Sequence, residues 1–260
     1  MLKGFLAAIG AYKFYEKWLW HQVADGGEPE HIAIILDGNR RWATGKSLDP
    51  WLGHEKGAEK VEQLLDWCLK LNVRSVTLYA FSTENFLRPP EEVEEVLRIA
   101  EEEFARILKD QRVHKNRVCV KVIGRSSLLP KGLQQLIRGV ENATGGYTDH
   151  FLTIALAYGG RAEIVDAAKR IAEEVREGDL NLEDITEHLF EKYLYTSHMP
   201  KQDPDLVIRT SGEERLSGFL LWQSAYSELC FLDVYWPDFR LIDFLRAVRT
   251  FQRRKRRFGQ

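Results

Sequence analysis

The sequence predicts an α/β fold: a mostly parallel central sheet flanked by helices, in a single domain. Three observations carry this. From Pro29 onward, short apolar, β-branched runs alternate with longer stretches of helical apolar spacing. The short runs are mostly apolar, and the first, Ile32–Leu36, continuously so, as strands buried on both faces require. No internal repeat or low-complexity linker breaks the alternation, and 260 residues suffice for one large core.

Met1 to Ala24 is rich in Leu, Phe, Tyr and Trp, but Lys3, Lys13, Glu16, Lys17 and His21 interrupt it. A spanning helix takes about 20 mostly apolar residues, so this segment is too polar to cross a membrane, and it has no clear signal-peptide cleavage site. At helical spacing Phe5, Ile9, Tyr12 and Leu19 share one broad face, with Lys13, Glu16 and Lys17 elsewhere. Residues 1–27 are therefore expected to form an amphipathic aromatic helix ahead of a domain spanning 28–260. Two readings of it stay open: an interfacial helix with Trp18 and Trp20 at headgroup depth, or a helix packed on the protein's own body or on a partner chain.

Strands are expected at Ile32–Leu36, Ser75–Phe81, Val118–Ile123, Leu152–Ala157, Leu206–Ile208 and Cys230–Val234. Between the first two, Ala58, Val61, Leu64, Leu65, Cys68 and Leu69 mark an amphipathic helix. Pro89-Pro90-Glu91-Glu92 reads as a helix start, followed by an apolar face of Val93, Val96, Leu97, Ala100, Phe104, Ile107 and Leu108. Further helices are expected at Lys131–Ala143, Arg161–Val175, Ile185–Tyr193 and Leu241–Arg253.

Composition excludes several functions. The formal net charge of −2 gives no global attraction to nucleic acid, so any anion site is local. Cys68, Cys119 and Cys230 lie far apart in apolar stretches. They form no CxxC pair and read as reduced, buried thiols of a cytoplasmic protein. There is no GxxxxGK[ST], GxGxxG, GxSxG or HExxH, which argues against the nucleotide, hydrolase and zinc-protease classes.

The informative residues follow three of the strands. Leu36 gives way to Asp37-Gly38-Asn39-Arg40-Arg41-Trp42; Phe81 to Ser82-Thr83-Glu84-Asn85-Phe86-Leu87-Arg88; Ile208 to Arg209-Thr210-Ser211-Gly212, then Arg215 and Ser217. In a parallel sheet these ends share one edge, where open α/β sheets bind ligands. A rim with at least four arginines, several hydroxyls, glycines and one carboxylate suits a diphosphate and Mg²⁺. Each loop by itself reads equally well as turn chemistry with solvated charges. Glu228, set between Tyr226 and the apolar Leu229-Cys230-Phe231, needs a partner such as a metal or an arginine. Helix faces carrying Leu64, Leu65, Val93, Val96, Ala100 and Phe104 are candidates for an apolar channel, with plain core packing the favoured reading for most of them.

The chain resembles the cis-prenyltransferases, the undecaprenyl and dehydrodolichyl diphosphate synthase group. The likeness runs in order through His31-Ile32-Ala33, Asp37–Ala43, Gly53-His54-Glu55-Lys56-Gly57, Leu78–Phe86 with Arg88-Pro89, Ala157–Arg161, Asp203–Glu213, Arg215–Gln223, Tyr226–Leu229 and Trp236–Phe239. It implies the non-Rossmann cis-prenyltransferase type of sheet and the successive condensation of isopentenyl diphosphate onto an allylic prenyl diphosphate. By that similarity Asp37 holds Mg²⁺ and helps the allylic diphosphate leave. Gly38, Asn39, Arg40, Arg41, Trp42, His54 and Arg88 line the allylic site, with Asn39 or a neighbour near the proton removed. Arg209, Arg215 and Ser217 bind isopentenyl diphosphate, Glu228 stands near its metal, and Ser82, Asn85 and Phe86 lie between the two sites, Asn85 in a catalytic role.

The basic run Arg253–Arg257 suits a solvated helix end. By the resemblance, Arg257-Phe258-Gly259 is similar to the family's terminal Arg-X-Gly, which reaches the partner's diphosphate site in a homodimer. Asn39-Arg40-Arg41 has the archaeal and eukaryotic form, where bacterial members carry Asn-Gly-Arg. The segment Ser47–Leu52 lacks an arginine that many bacterial members carry. The long aromatic N-terminus points to membrane-associated relatives making long-chain polyprenyl carriers, and so to peripheral membrane association. A non-catalytic subunit of a heteromeric enzyme is the competing class; such chains typically lose the metal-binding Asp and the arginine loops, which this chain keeps.

Overall fold

The computed structural model describes residues 11–254. Six strands form one sheet: β1 (His31–Ile35), β2 (Ser75–Ser82), β3 (Val118–Ile123), β4 (His150–Tyr158), β5 (Leu206–Arg209) and β6 (Glu228–Phe231). Their order is β3-β4-β2-β1-β5-β6, and all five pairings are parallel. The helices are α1 (Ala11–Ala24), α2 (Asn39–Thr44), α3 (Pro50–Lys70), α4 (Pro90–Ile107), α5 (Gln111–Lys115), α6 (Lys131–Thr144), α7 (Gly160–Glu177), α8 (Glu187–Glu191) and α9 (Leu241–Arg253).

Alternation along each strand sorts side chains onto two faces. Ile32, Ile34, Val76, Leu78 and Ile208 join a large core with residues of α1, α3, α4, α6 and α9, including Leu19, Leu64, Leu97, Leu133 and Phe244. Ala33, Ile35, Tyr79, Ala155 and Val207 face a smaller cluster closed by Tyr158, Phe219 and Leu220. Burial on both faces is why the strands read as mostly apolar runs.

The expected elements are present with shifted ends. The last strand was expected at Cys230–Val234 but spans Glu228–Phe231. Its continuation is diverted because the Leu232 and Val234 carbonyls accept the N–H groups of Gly212 and Ser211. Of the helix expected at Ile185–Tyr193, only Glu187–Glu191 is helical, capped by the Thr186 hydroxyl accepting from the Leu189 N–H. α3 starts at Pro50, well before its first apolar repeat, with proline in the opening turn. The short helices α2 and α5 leave no periodic signal.

Leu19 and Val23 of α1 are buried in the large core, and α1 packs against α9. The Arg246 and Arg249 guanidinium groups lie over the Tyr15 and Trp18 rings at 5.3 and 4.8 Å. Phe14 (76%) and Trp18 (42%) remain exposed on the outer face. Phe5 and Ile9 lie outside the described residues, as does Arg257-Phe258-Gly259.

Two histidines are buried in this frame. His31 heads β1, with Nε2 2.8 Å from the Thr77 hydroxyl. Burial pushes its pKa down to about 4. His54, early in α3, is pushed down to about 4 by burial and then by the Arg88 charge. Both stay neutral in the folded chain, whereas the unfolded chain protonates them below the ordinary 6.5. The unfolded state therefore binds more protons between those values, and stability falls as pH drops through that window, by about 1.4 kcal/mol per pH unit for each histidine. Urea unfolding at stepped pH checks this: His54→Gln should flatten the slope, and an unchanged slope contradicts the assignment.

Candidate active site

The carboxyl ends of β1 and β5 meet around one buried guanidinium. Arg209 is 5% exposed. Its Nη2 donates to Asp37 Oδ2 at 2.7 Å, and its Nη1 donates to Ser217 Oγ at 2.8 Å and to the Arg215 carbonyl. Thr210 ties the same strand ends together: its hydroxyl accepts the Asp37 N–H at 3.0 Å and donates to the Asp37 carbonyl at 2.7 Å. Arg41 Nη2 donates to Asp37 Oδ1 at 3.3 Å and to Ser211 Oγ at 2.7 Å, while its Nη1 donates to Glu213 Oε1 at 3.1 Å. Glu213 also pairs with Arg215. Burial favours the neutral form of Asp37, but hydrogen bonds from Arg209 and Ser211 and the charges of Arg209 and Arg41 outweigh it, holding the carboxyl below its usual range.

Gly38 makes the turn that delivers this loop. Its φ is +100°, and a Cβ there would stand 2.6 Å from the Tyr235 ring. Ser211 and Ser217 also adopt positive φ, 83° and 48°. Non-glycine residues in that region are strained, and such strain gathers at functional sites.

A second cluster lies on the other side of α2. Glu92, in the first turn of α4, is 7% exposed. Arg88 Nη1 donates to its Oε1 at 3.0 Å, Arg40 Nη1 to its Oε2 at 3.4 Å, and His54 Nε2 lies 3.9 Å from Oε1. The consecutive residues Arg40 and Arg41 thus serve different clusters. Asn39 sits at their junction: its amide nitrogen donates to the Leu36 carbonyl at 2.9 Å, and its Oδ1 is buried without a hydrogen-bond partner. It is held close by glycines of α3, since a Cβ on Gly53 would be 2.1 Å from the Asn39 carbonyl oxygen and one on Gly57 2.5 Å from its Oδ1.

The loop after β2 closes the rim. Ser82 and Asn85 cap each other reciprocally: Ser82 N–H donates to Asn85 Oδ1 at 2.9 Å, and Asn85 N–H to Ser82 Oγ at 3.2 Å. Phe86 packs edge-on against Phe81, their centroids 5.0 Å apart. Trp42 lies farther along α2, its ring 3.8 Å from the Lys46 ammonium nitrogen. Glu228 is not brought to this rim. It starts β6 opposite Leu206, whereas the pocket lies beyond Arg209, so strand spacing puts it roughly 15 Å or more from Asp37 within one copy. Its carboxylate accepts from Arg254 Nη1 at 2.6 Å.

Sequence reasoning missed Glu92, which read only as a first-turn acid, and left Glu213 as a candidate for a plain loop acid. The one signal for Glu92 was its i,i+4 spacing from Arg88.

From Leu36, Asn39 and His54 a cavity of about 220 Å³ runs between α3, α4 and the sheet. Leu65, Val96, Ala100 and Phe104 line it, as expected of a channel; its far end is rimmed by charged residues including Asp66, Arg106 and Arg112. Leu64 instead belongs to the core.

Among the described residues no group of three or more His, Cys, Asp or Glu side chains could cage a metal. The donor set fits Mg²⁺ in another way, because this ion takes one or two carboxylates together with substrate phosphates and water. Asp37 offers one carboxylate beside the arginines that would take those phosphates.

Comparison with known proteins agrees with the site. Residues 35–259 match the family described as "Putative undecaprenyl diphosphate synthase". The tritrans,polycis-undecaprenyl-diphosphate synthase (geranylgeranyl-diphosphate specific) of Methanopyrus kandleri is 53% identical, over 96% of this chain and 91% of that protein. The protein of the same name from Pyrococcus furiosus is also 53% identical, covering 96% and 94%. The crystal structure of lavandulyl diphosphate synthase from Lavandula x intermedia, in complex with dimethylallyl diphosphate, superposes with a TM-score of 0.86 at 36% identity, covering 90% and 99% of the two chains. That of a probable undecaprenyl diphosphate synthase from Campylobacter jejuni gives 0.73 at 30% identity, covering 90% and 100%. A family match over residues 35–259, curated relatives 53% identical and an all-parallel sheet that superposes on these structures place the chain in the undecaprenyl diphosphate synthase family, as a cis-prenyltransferase.

Proposed function

We propose that the chain extends an allylic prenyl diphosphate with isopentenyl diphosphate, step after step, to a long-chain polyprenyl diphosphate of the kind that carries glycosyl groups. The observation that supports this is the pairing of two cationic clusters with one apolar cavity. The primer is geranylgeranyl diphosphate, the substrate named for the archaeal relatives. No observation favours a non-catalytic subunit, since Asp37, Arg41, Arg88, Arg209 and Arg215 all stand at the rim.

In this reading Gly38, Asn39, Arg40, Arg41, Trp42, His54 and Arg88 hold the allylic diphosphate, with the prenyl chain in the cavity. Arg209, Arg215 and Ser217 hold isopentenyl diphosphate, and Ser82, Asn85 and Phe86 stand between. Asp37 would hold a magnesium ion, which would supply positive charge against the departing diphosphate. Ionisation of the allylic C–O bond leaves an allylic cation in the cavity mouth and passes the negative charge to diphosphate oxygens. The arginines stabilise that charge as it develops, being already in place. The isopentenyl double bond then attacks the cation and becomes a tertiary cation, and a proton passes from the methylene carbon beside it, close to Asn39, to a diphosphate oxygen, leaving the new double bond. Two of the buried polar atoms without partners, Asn39 Oδ1 and His54 Nε2, belong to residues that line the cavity.

Substrate entry changes the ion pairs. A diphosphate gives Arg41 and Arg209 a more highly charged partner than Asp37, freeing the Asp37 oxygens. The same reading assigns a homodimer in which Glu228 and the tail serve the site of a second copy. Residues 28–260 form the catalytic domain, and residues 1–27 rest on a lipid surface. Among the described residues no helix is long and apolar enough to cross a membrane. The exposed Phe14 and Trp18, flanked by Lys13 and Lys17, instead suit a cytoplasmic enzyme bound peripherally.

Three outcomes test this reading. Asp37→Ala should lower kcat by about 10²-fold or more with geranylgeranyl diphosphate and labelled isopentenyl diphosphate; near-normal turnover removes the metal role. Ala100→Phe fills the cavity and should shorten the products by at least one isoprene unit on reversed-phase chromatography; an unchanged product pattern takes the chain out of that cavity. Phe14→Ser with Trp18→Ser should reduce co-sedimentation with phosphatidylglycerol vesicles while turnover of detergent-solubilised substrate persists; undiminished sedimentation contradicts the lipid contact.

A further inference from the structure

The Glu92 carboxylate is a buried anion placed among the groups expected to bind another anion. Arg40 comes from α2, His54 from α3 and Arg88 from the turn before α4, yet all three converge on it. The two guanidinium groups take different oxygens, Arg40 on Oε2 and Arg88 on Oε1. Glu92 itself is held by its backbone N–H, which donates to the Pro89 carbonyl at 3.0 Å. Its sequence neighbour Glu91 is exposed.

We infer that Glu92 is the positioning residue of the allylic-diphosphate half of the site: it fixes where Arg40 and Arg88 stand before substrate arrives, without touching the reacting atoms. The inference rests on the cis-prenyl transfer reading above. Two guanidinium groups brought together repel, and long arginine side chains lose rotamer freedom when ordered. One carboxylate between them cancels half of their charge and supplies an acceptor to each. With His54 neutral, the cluster retains one net positive charge, so it still attracts a diphosphate. A buried carboxylate stripped of its partners is strongly disfavoured, which keeps both arginines seated while the site is empty. The Arg209–Arg215–Ser217 cluster makes none of these contacts; it is organised by Asp37 and Glu213.

The consequence is a split between substrates. Glu92→Leu removes both acceptors, and Glu92→Gln keeps the shape and one acceptor without the charge. Steady-state kinetics with geranylgeranyl diphosphate and isopentenyl diphosphate are measured for wild type and both variants, with thermal unfolding in parallel. Glu92→Leu should raise KM for the allylic substrate about tenfold or more while KM for isopentenyl diphosphate stays within about twofold. Glu92→Gln should recover part of the loss. Inorganic diphosphate, competing with the allylic substrate, should weaken in the same ratio. If Glu92→Leu does not fold, the same split in Glu92→Gln, about threefold or more, decides. Equal changes in both KM values, or no change in the folded variant, overturn the role. A wild type that makes no extended product instead defeats the functional reading, and so the two failures are distinguishable.

Discussion

A guanidinium group cannot be left uncompensated inside a protein, and Arg209 is buried at the end of β5. Much of the rim follows from satisfying it. Its charge requires a carboxylate at the end of the neighbouring strand, which is Asp37. Its Nη1 requires acceptors, and the chain turns back on itself through Arg215 to Ser217 to supply them, while its Nε has none. That return is tight enough to force Ser211 and Ser217 into positive φ. It also pulls the Leu232 and Val234 carbonyls out of the sheet to accept the loop's own N–H groups. The Asp37 carboxylate and the Arg209 guanidinium are thus each other's counter-ion.

The same logic operates a second time across α2. Arg40 and Arg41 are adjacent in sequence, but a helix turns about 100° per residue, so they face different ways. One reaches Glu92 and the other Asp37, Ser211 and Glu213. The short helix is thus a wall between two anion sites, with Asn39 at its start facing the cavity. It stands close enough to α3 only because Gly53 and Gly57 carry no side chain. Trp236 fastens the arrangement from below, its indole N–H donating to the Gly57 carbonyl at 2.8 Å and its backbone N–H to the Asp37 carbonyl at 3.0 Å.

What could be read before folding was considered was periodic or local. Ile32–Ile35 and Ser75–Phe81 announced themselves because both sheet faces are covered, so apolar residues dominate them and the polar ones are small, Ser75 and Thr77. The shared rim followed from parallel topology alone, since every strand must end on the same edge. The helix at Ile185–Tyr193 shrank to its middle, Glu187–Glu191, where the Thr186 hydroxyl caps the first turn. Glu92 passed unnoticed because a first-turn glutamate is ordinary on any helix, and only the arrival of Arg40 from a distant loop makes it different. Glu228 was correctly singled out as needing a partner. The partner it has here, Arg254, lies at the opposite edge of the sheet from Asp37.

The sequence by itself determined the sheet, its parallel sense, the rim of arginines and, through the motifs from His31 to Phe239, the family. These depend on hydrophobic period, strand-end chemistry and residue order, all written along the chain. Tertiary structure alone decided how the charges pair: that Arg40 and Arg41 part company, that Glu92 gathers three groups, that Asp37 is shared by two arginines, and that α1 buries Leu19 and Val23 while leaving Phe14 and Trp18 outside. Pairing of this kind is set by distances across many tens of residues, and the electrostatic energy of a charge depends on where its neighbours and the solvent lie, which no local pattern records.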